Sequence, residues 1–166
     1  MTAPLLSVQD LTVTFPTRAG PASVVDGVSF DLEAGEVLGI VGESGSGKSL
    51  TALAILRLIA SPGRIAGGAI RFEGDDLLLL PESALGRLRG AAISMIFQEP
   101  MSSLNPVFSI GDQIMEPLRQ HRGLDRRAAR KAALELLDMV EIPDARRRID
   151  EYPHQLSGGM RQRAMI

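Results

Sequence analysis

Val8, Leu11, Val13 and Phe15 recur in near alternation through SVQDLTVTF, the pattern of a strand with one buried face. PTRAGPAS follows, and its Pro and Gly content predicts a loop over 16–23. VSFDL, residues 28–32, alternates cleanly and predicts a second strand. After the turn residues EAGE comes EVLGIV, residues 36–41, a nearly continuous apolar run. Such a run fits a strand buried on both faces, as in a parallel sheet. LTALAILRLIA, residues 50–60, has helical length and ends before Pro62 and Gly63. Ile70 and Phe72 alternate ahead of Gly74 and predict another strand, and AAISMIF, residues 91–97, is a second candidate for a doubly buried strand.

From about residue 102 to 156 the period changes to that of helices. IGDQIMEPLRQHRG has helical spacing. In DRRAARKAALELLDMVEIP, the residues Ala129, Ala132, Ala133, Leu136, Leu137 and Val140 form one apolar face, with Asp125 as N-cap and Pro143 as a stop. There is no internal repeat and no low-complexity tract. The pattern is a β-rich first part with one clear helix, then a helical second part.

Composition narrows the function classes. Of 166 residues, 45% are hydrophobic and 23% charged, which suits an ordinary globular domain. The net charge of −2 gives no support to a non-specific nucleic-acid binder. The absence of cysteine excludes disulfides, cysteine–zinc sites and cysteine nucleophiles, and fits a reducing compartment. MTAPLLSVQD has neither the basic segment nor the long apolar run of a signal peptide. The most apolar stretch, 50–60, is too short to span a bilayer and carries Arg57. Lys48 and Lys131 are the only lysines.

Lys48 lies in GESGSGKS, which fits G-x-x-x-x-G-K-[ST] between an apolar run and a helix. Glycines let a backbone wrap until its N–H groups face phosphate oxygens, and the following helix points its positive end at the same place. Candidate phosphate-binding residues are Gly42, Glu43, Ser44, Gly45, Ser46, Gly47, Lys48, Ser49 and Leu50. Lys48 would reach the β- and γ-phosphates, and Ser49 would bind Mg²⁺ through its hydroxyl. A GTPase would need an Asn-Lys-x-Asp guanine reader, and the only asparagine is Asn105 in LNP. A small-molecule kinase of the same fold stays open on this motif alone.

The second motif is LSGGMRQR, residues 156–163. Its order after the loop lysine, beyond a helical segment, resembles the ATP-binding subunits of ABC transporters. LGIVGESGSGKS, RLRG, IFQEPMSSLNPVFSIGDQIMEPLRQHRG and EYPHQLSGGMRQR all resemble the dipeptide/oligopeptide importer branch, and nickel importers share closely similar segments. The resemblance implies an α/β fold: a P-loop NTPase (RecA-like) core with an N-terminal antiparallel β subdomain over 1–100. It implies an ABC-type α-helical subdomain over 101–156, and the signature with the start of its helix over 157–166. ATP and Mg²⁺ are the implied cofactors. Gln98 would be the Q-loop glutamine, touching Mg²⁺ and the attacking water, so Lys48 and Gln98 carry the catalytic roles. Ser157, Gly158 and Gly159 would bind the γ-phosphate of ATP held by a second subunit. Phe15 stands where the family places an aromatic on adenine, and it reads equally well as strand core.

The implied partners are two membrane permease subunits, a second ATP-binding subunit in a homo- or heterodimer, and, indirectly, an external solute-binding protein, with no nucleic acid. The implied place is the cytoplasmic face of the inner membrane, held peripherally. The family's later Asp-Glu strand, Asp loop and switch histidine are not found in these residues. The expectation is therefore an N-terminal fragment, truncated before the Walker B strand and unable by itself to hydrolyse ATP. Two alternatives stand beside it: a non-hydrolysing nucleotide-binding module, and a soluble ABC ATPase acting on DNA, which would carry coiled-coil or zinc insertions absent here. The basic runs RQHRGLDRRAARK and Arg146–Arg148 read best as solvated helix faces, more weakly as contacts for lipid headgroups or a permease loop. His154 reads as structural and His121 as surface.

Overall fold

The computed structural model of the chain describes residues 3–97 and 103–166. They fall into two compact units, one ending at Arg89 and one starting at Gly90.

The first unit is built on an antiparallel sheet with strand order β2-β1-β3-β4. Strand β1 (Leu6–Thr17) pairs with β2 (Gly20–Leu32) on one edge and with β3 (Arg64–Phe72) on the other; β4 (Asp75–Asp76) closes the order. The loop expected over 16–23 is instead the end of a tight hairpin, with Thr17 opposite Gly20. Thr17 Oγ1 donates to the Gly20 carbonyl at 2.6 Å and accepts from Ala19 N at 3.2 Å. Pro16 and Pro21 face each other there. Both tolerate strand geometry because each has a free side: β2 is an edge strand, and the β1–β3 ladder has already ended at Thr14 and Arg64.

The uneven spacing of Val8 and Leu11 has a cause. Asp10 takes φ 48° and the register shifts between Val8 and Leu11, so a bulge returns both side chains to the buried face, at 1% and 0% exposure. Across from it Gly68, at φ 95°, lies so near Gln9 that a Cβ would sit 2.5 Å from its carbonyl oxygen. Val13, Val25, Ile70, Leu77 and Leu85 complete this core.

Two helices accompany the sheet, α1 (Lys48–Ile55) and α2 (Glu82–Leu88). The helix expected over 50–60 stops earlier because Arg57 turns to φ 52°. Arg57 N then bonds the Ala54 carbonyl and Leu58 N the Leu53 carbonyl, closing the C-terminus. The Arg57 guanidinium donates to the carbonyls of Leu77 and Leu80, which fixes the segment before α2.

The two doubly buried strands are not formed. Residues 36–41 have no strand pairing, and Val37 and Val41 are 94% and 93% exposed. In 91–97 only Ile93 makes an isolated bridge, and Ile96 and Phe97 are exposed. A strand that is apolar on both faces needs ladder partners and cover on each side. Among the described residues neither segment has them, and every ladder in the sheet is antiparallel.

The second unit is helical: α3 (Ile110–Arg122), α4 (Arg126–Met139), α5 (Ala145–Arg148), a 3-10 turn Pro153–Gln155, and α6 (Gly158–Met165). Ser109 caps α3 by accepting from Asp112 N, and Asp125 caps α4 by accepting from Ala128 N, as its position predicted. Ala129, Ala133 and Leu137 pack with Ile110, Met115, Leu118, Ile149, Leu156 and Met160 in one core. Leu136, expected on the apolar face, lies at its edge and is 40% exposed. The Arg130 guanidinium grips Asp150 through two 2.7 Å bonds, which hold that carboxyl below the usual range. Ile110 N and Gly111 N donate to the carbonyls of Glu151 and Ile149, so the start of α3 is pressed onto the segment after α5.

That approach leaves no room at Gly111, where a Cβ would lie 2.5 Å from Ile149 Cγ1 and 2.6 Å from its carbonyl oxygen. Gly111→Ala is therefore expected to destabilise the helical unit by about 1–3 kcal/mol, read as lost hydrogen-exchange protection across α3 and α5. Gly86→Ala, in α2 with open space around it, is expected to add about 0.5–1 kcal/mol to its unit. Equal effects at the two positions would contradict this packing.

Candidate phosphate-binding site

The motif at 42–49 is a wrapped loop ending in α1. Gly45 and Gly47 take φ 82° and 91°, the left-handed region that side chains disfavour. Gly47 is the N-cap of α1, and its carbonyl accepts from Thr51 N at 2.8 Å and Thr51 Oγ1 at 3.1 Å. A Cβ at Gly47 would lie 2.7 Å from the Val24 carbonyl oxygen and 3.1 Å from Val25 Cγ2. The loop is thus seated directly on β2. At its other end Gly42 faces Ser46, whose Oγ would be 2.7 Å from a Cβ there. Ser46 N donates to the Glu43 carbonyl at 3.2 Å.

Lys48 braces this ring from inside. Its Nζ donates to the carbonyls of Gly42 and Glu43 at 2.8 and 2.7 Å, and to Ser46 Oγ at 3.2 Å. The ammonium therefore stands within the loop, next to the positive end of α1, and both favour an anion. Ser49, the second residue of α1, is exposed, Leu50 is half-buried, and Glu43 and Ser44 are exposed. This donor set fits a polyphosphate: one cation, short hydroxyl side chains and glycines where a Cβ would collide. For Mg²⁺, no group of three His, Cys, Asp or Glu gathers among the described residues.

The other expected residues fall as follows. Phe15 is half-buried, and its ring packs on Gly63, where a Cβ would lie 2.5 Å from Cζ and 2.8 Å from Ile59 Cγ2. Gln98 lies outside the described residues. Ser157 is the N-cap of α6 and its Oγ accepts from Met160 N at 3.4 Å. Gly158 and Gly159 are exposed, with nothing within 4 Å of either Cβ position. Leu156 and Met160 are buried on either side, so the exposed turn is anchored at both ends.

Two clamps behind α6 were not read from the sequence. Arg161 Nε donates to the Leu156 carbonyl at 3.0 Å, and an Arg163 nitrogen to the Glu141 carbonyl at 2.7 Å. Both belong to MRQR, so the motif's basic tail was visible, but not that it binds backbone. Gln155 Oε1 accepts from Tyr152 N at 2.8 Å, and the rings of His154 and Tyr152 stack at 5.8 Å. These contacts agree with a structural His154.

The sequence pattern of the ABC transporter family matches residues 25–166. The chain belongs to that family. Among curated relatives, a putative peptide import ATP-binding protein of Brucella abortus (strain 2308) is 57% identical over 99% of this chain and 50% of its own length. The dipeptide transport ATP-binding protein of Haemophilus influenzae is 53% identical over 98% of this chain and 49% of its own. The oligopeptide transport ATP-binding protein of Escherichia coli K12 is 52% identical over 98% and 48%. The chain spans about half the length of these relatives. Among solved structures, a dimeric ATP-binding cassette in a post-hydrolysis state, bound to ADP and Pi, superposes with a TM-score of 0.80 at 26% identity, over 96% of this chain and 66% of that one. The α/β fold is that of an ABC ATPase cassette. No helix among the described residues is long and apolar enough to cross a membrane.

Gly47→Ala meets both a positive φ and the Val24 carbonyl. It is expected to unseat the loop at a cost of about 1–3 kcal/mol, measured as a lower urea midpoint of the first unit. An unchanged midpoint would show that the loop does not lean on β2.

Proposed function

We propose that the chain is the nucleotide-binding part of an ATP-driven peptide importer and holds ATP at residues 42–50. The observation that carries this reading is the ring formed by Gly42, Glu43 and Ser46 around the Lys48 ammonium, at the start of a helix. Phosphate oxygens would take the place of the carbonyls and hydroxyl that Lys48 now meets. A bound Mg²⁺, held through Ser49 and Gln98, would neutralise charge between the β- and γ-phosphates. Lys48 then orients the terminal phosphate and stabilises the charge that builds on it. Phe15 offers an aromatic face for the base.

The signature completes the reading from the opposite side. Ser157, Gly158 and Gly159 put a capped, uncluttered helix N-terminus into solvent, which is suited to the γ-phosphate of ATP on a second subunit. ATP between two such surfaces would link nucleotide binding to subunit closure. Peptide as the cargo rests on the peptide import and transport names of the relatives; two permease subunits, an external binding protein and a peripheral place on the cytoplasmic face of the membrane follow from membership of the ABC transporter family. The helical unit offers a permease an apolar groove of about 670 Å³, lined in part by Leu104, Pro117, Leu136 and Met139.

The test is an equilibrium titration with Mg·ATP. Lys48→Ala removes a charge-assisted contact of about 1.5–3 kcal/mol, so affinity is expected to fall roughly 10- to 100-fold. Unchanged affinity would overturn the site. These 166 residues by themselves are expected to hydrolyse no ATP above background, and robust turnover abolished by Lys48→Ala would contradict that part.

A further inference from the structure

Four cations of the helical unit form ion pairs within it, Arg161 and Arg163 bind backbone carbonyls, and exposed Arg146 on α5 forms no ion pair with a described residue. Arg130 grips Asp150, Lys131 pairs with Glu135, and Arg147 and Arg148 share Glu151. Arg119, Arg122, Arg126 and Arg127 stand close together in the sequence. All four are exposed, and none forms an ion pair with a described residue. They flank one tight turn, where Gly123 at φ 63° ends α3 and α4 begins three residues later. The single acid among them, Asp125, is engaged as the N-cap of α4, accepting from Ala128 N at 2.7 Å.

At the start of α4 the arrangement runs against local stability. Arg126 and Arg127 occupy the first turn of α4, which has no acidic residue, so two cations face the positive end of the helix dipole. Arg119 and Arg122 lie in the last turn of α3, where cations suit the helix dipole, and they bring the charge beside the turn to four arginines. The surface also lacks the centre of a protein interface. Leu124 packs inward against the core, and no large apolar side chain is exposed between Pro117 and Glu135. Protein interfaces are built around an apolar core, so a partner read by charge alone is the better fit.

We propose that the α3–α4 turn is a membrane-contacting surface, with Arg119, Arg122, Arg126 and Arg127 engaging the phosphate groups of anionic lipids. The choice of a lipid surface rests on the membrane-peripheral reading above. Clusters of four or more arginines of this kind are attracted to anionic bilayers at about fivefold in affinity per residue. The lipid contact would hold the helical unit against the bilayer independently of nucleotide.

The test is co-sedimentation of the chain, without nucleotide, with vesicles of mixed phosphatidylglycerol and phosphatidylcholine or of phosphatidylcholine alone. Binding to the anionic vesicles only, reversed by salt, is expected. Arg126→Glu with Arg127→Glu should weaken it at least tenfold, and so should Arg119→Glu with Arg122→Glu. The first pair places acids at a helix N-terminus, so α4 keeps or gains stability, and far-UV circular dichroism separates lost binding from lost fold. Arg146→Glu, an exposed cation on α5, should leave binding unchanged. Equal binding to neutral vesicles, no binding at low salt, no effect of either pair, an equal effect of Arg146→Glu, or preference for a DNA duplex would each overturn the proposal. Mg·ATP affinity, measured in parallel, stays intact in the arginine variants, so failure here and failure of the nucleotide site are distinguishable.

Discussion

The seat of the phosphate loop on β2 is the contact on which the rest of the first unit turns. Gly47 must adopt a left-handed conformation with its α-carbon against the Val24 carbonyl, and no side chain fits there. That approach fixes where α1 begins, and so where its positive end points. It also fixes Lys48, which follows directly and folds back to the carbonyls of Gly42 and Glu43. The antiparallel hairpin of β1 and β2 is therefore the platform for the loop as well as part of the core. The register of that hairpin shifts again between Val13 and Thr14, so Val24, whose carbonyl meets Gly47, lies at an irregularity of the ladder.

The chain builds two anion-facing helix starts, and it builds them differently. At α1 Gly42 and Gly47 are crowded and a cation is folded inside the ring. At α6 a serine caps the helix, the glycines stand in open space, and the nearest arginines reach backward to carbonyls behind the turn. The first is suited to enclosing a phosphate chain. The second is suited to presenting N–H groups to a phosphate held elsewhere. Electrostatics repeats the division, since the arginines of the signature helix are consumed in positioning it, whereas those of the α3–α4 turn are left to solvent.

Much of this was legible from residues. The wrapped loop of 42–49, the cap Asp125 and most of the apolar stripe of α4 each follow from local rules. What failed depended on residues far away in sequence. The runs 36–41 and 91–97 have the composition of buried strands, but a strand exists only where another pairs with it, and composition cannot supply the partner. The hairpin end at Thr17 and Gly20 was hidden because proline and glycine signal loops, and only the sheet order shows that both prolines have a free side. The early end of α1 comes from the left-handed turn at Arg57, a non-glycine residue with no local signal for it, and its guanidinium goes on to the carbonyls of Leu77 and Leu80. The backbone clamps of Arg161 and Arg163 were hidden for the same reason.

The most direct measurement is hydrogen exchange of the whole chain with and without Mg·ATP, followed residue by residue. If the loop on β2 is the nucleotide cradle, slowed exchange concentrates in 42–51, reaches Val24 and Val25 beneath the loop, and disappears in Lys48→Ala. Protection that spares 42–51, or that survives unchanged in Lys48→Ala, would contradict the assignment of the site to this loop.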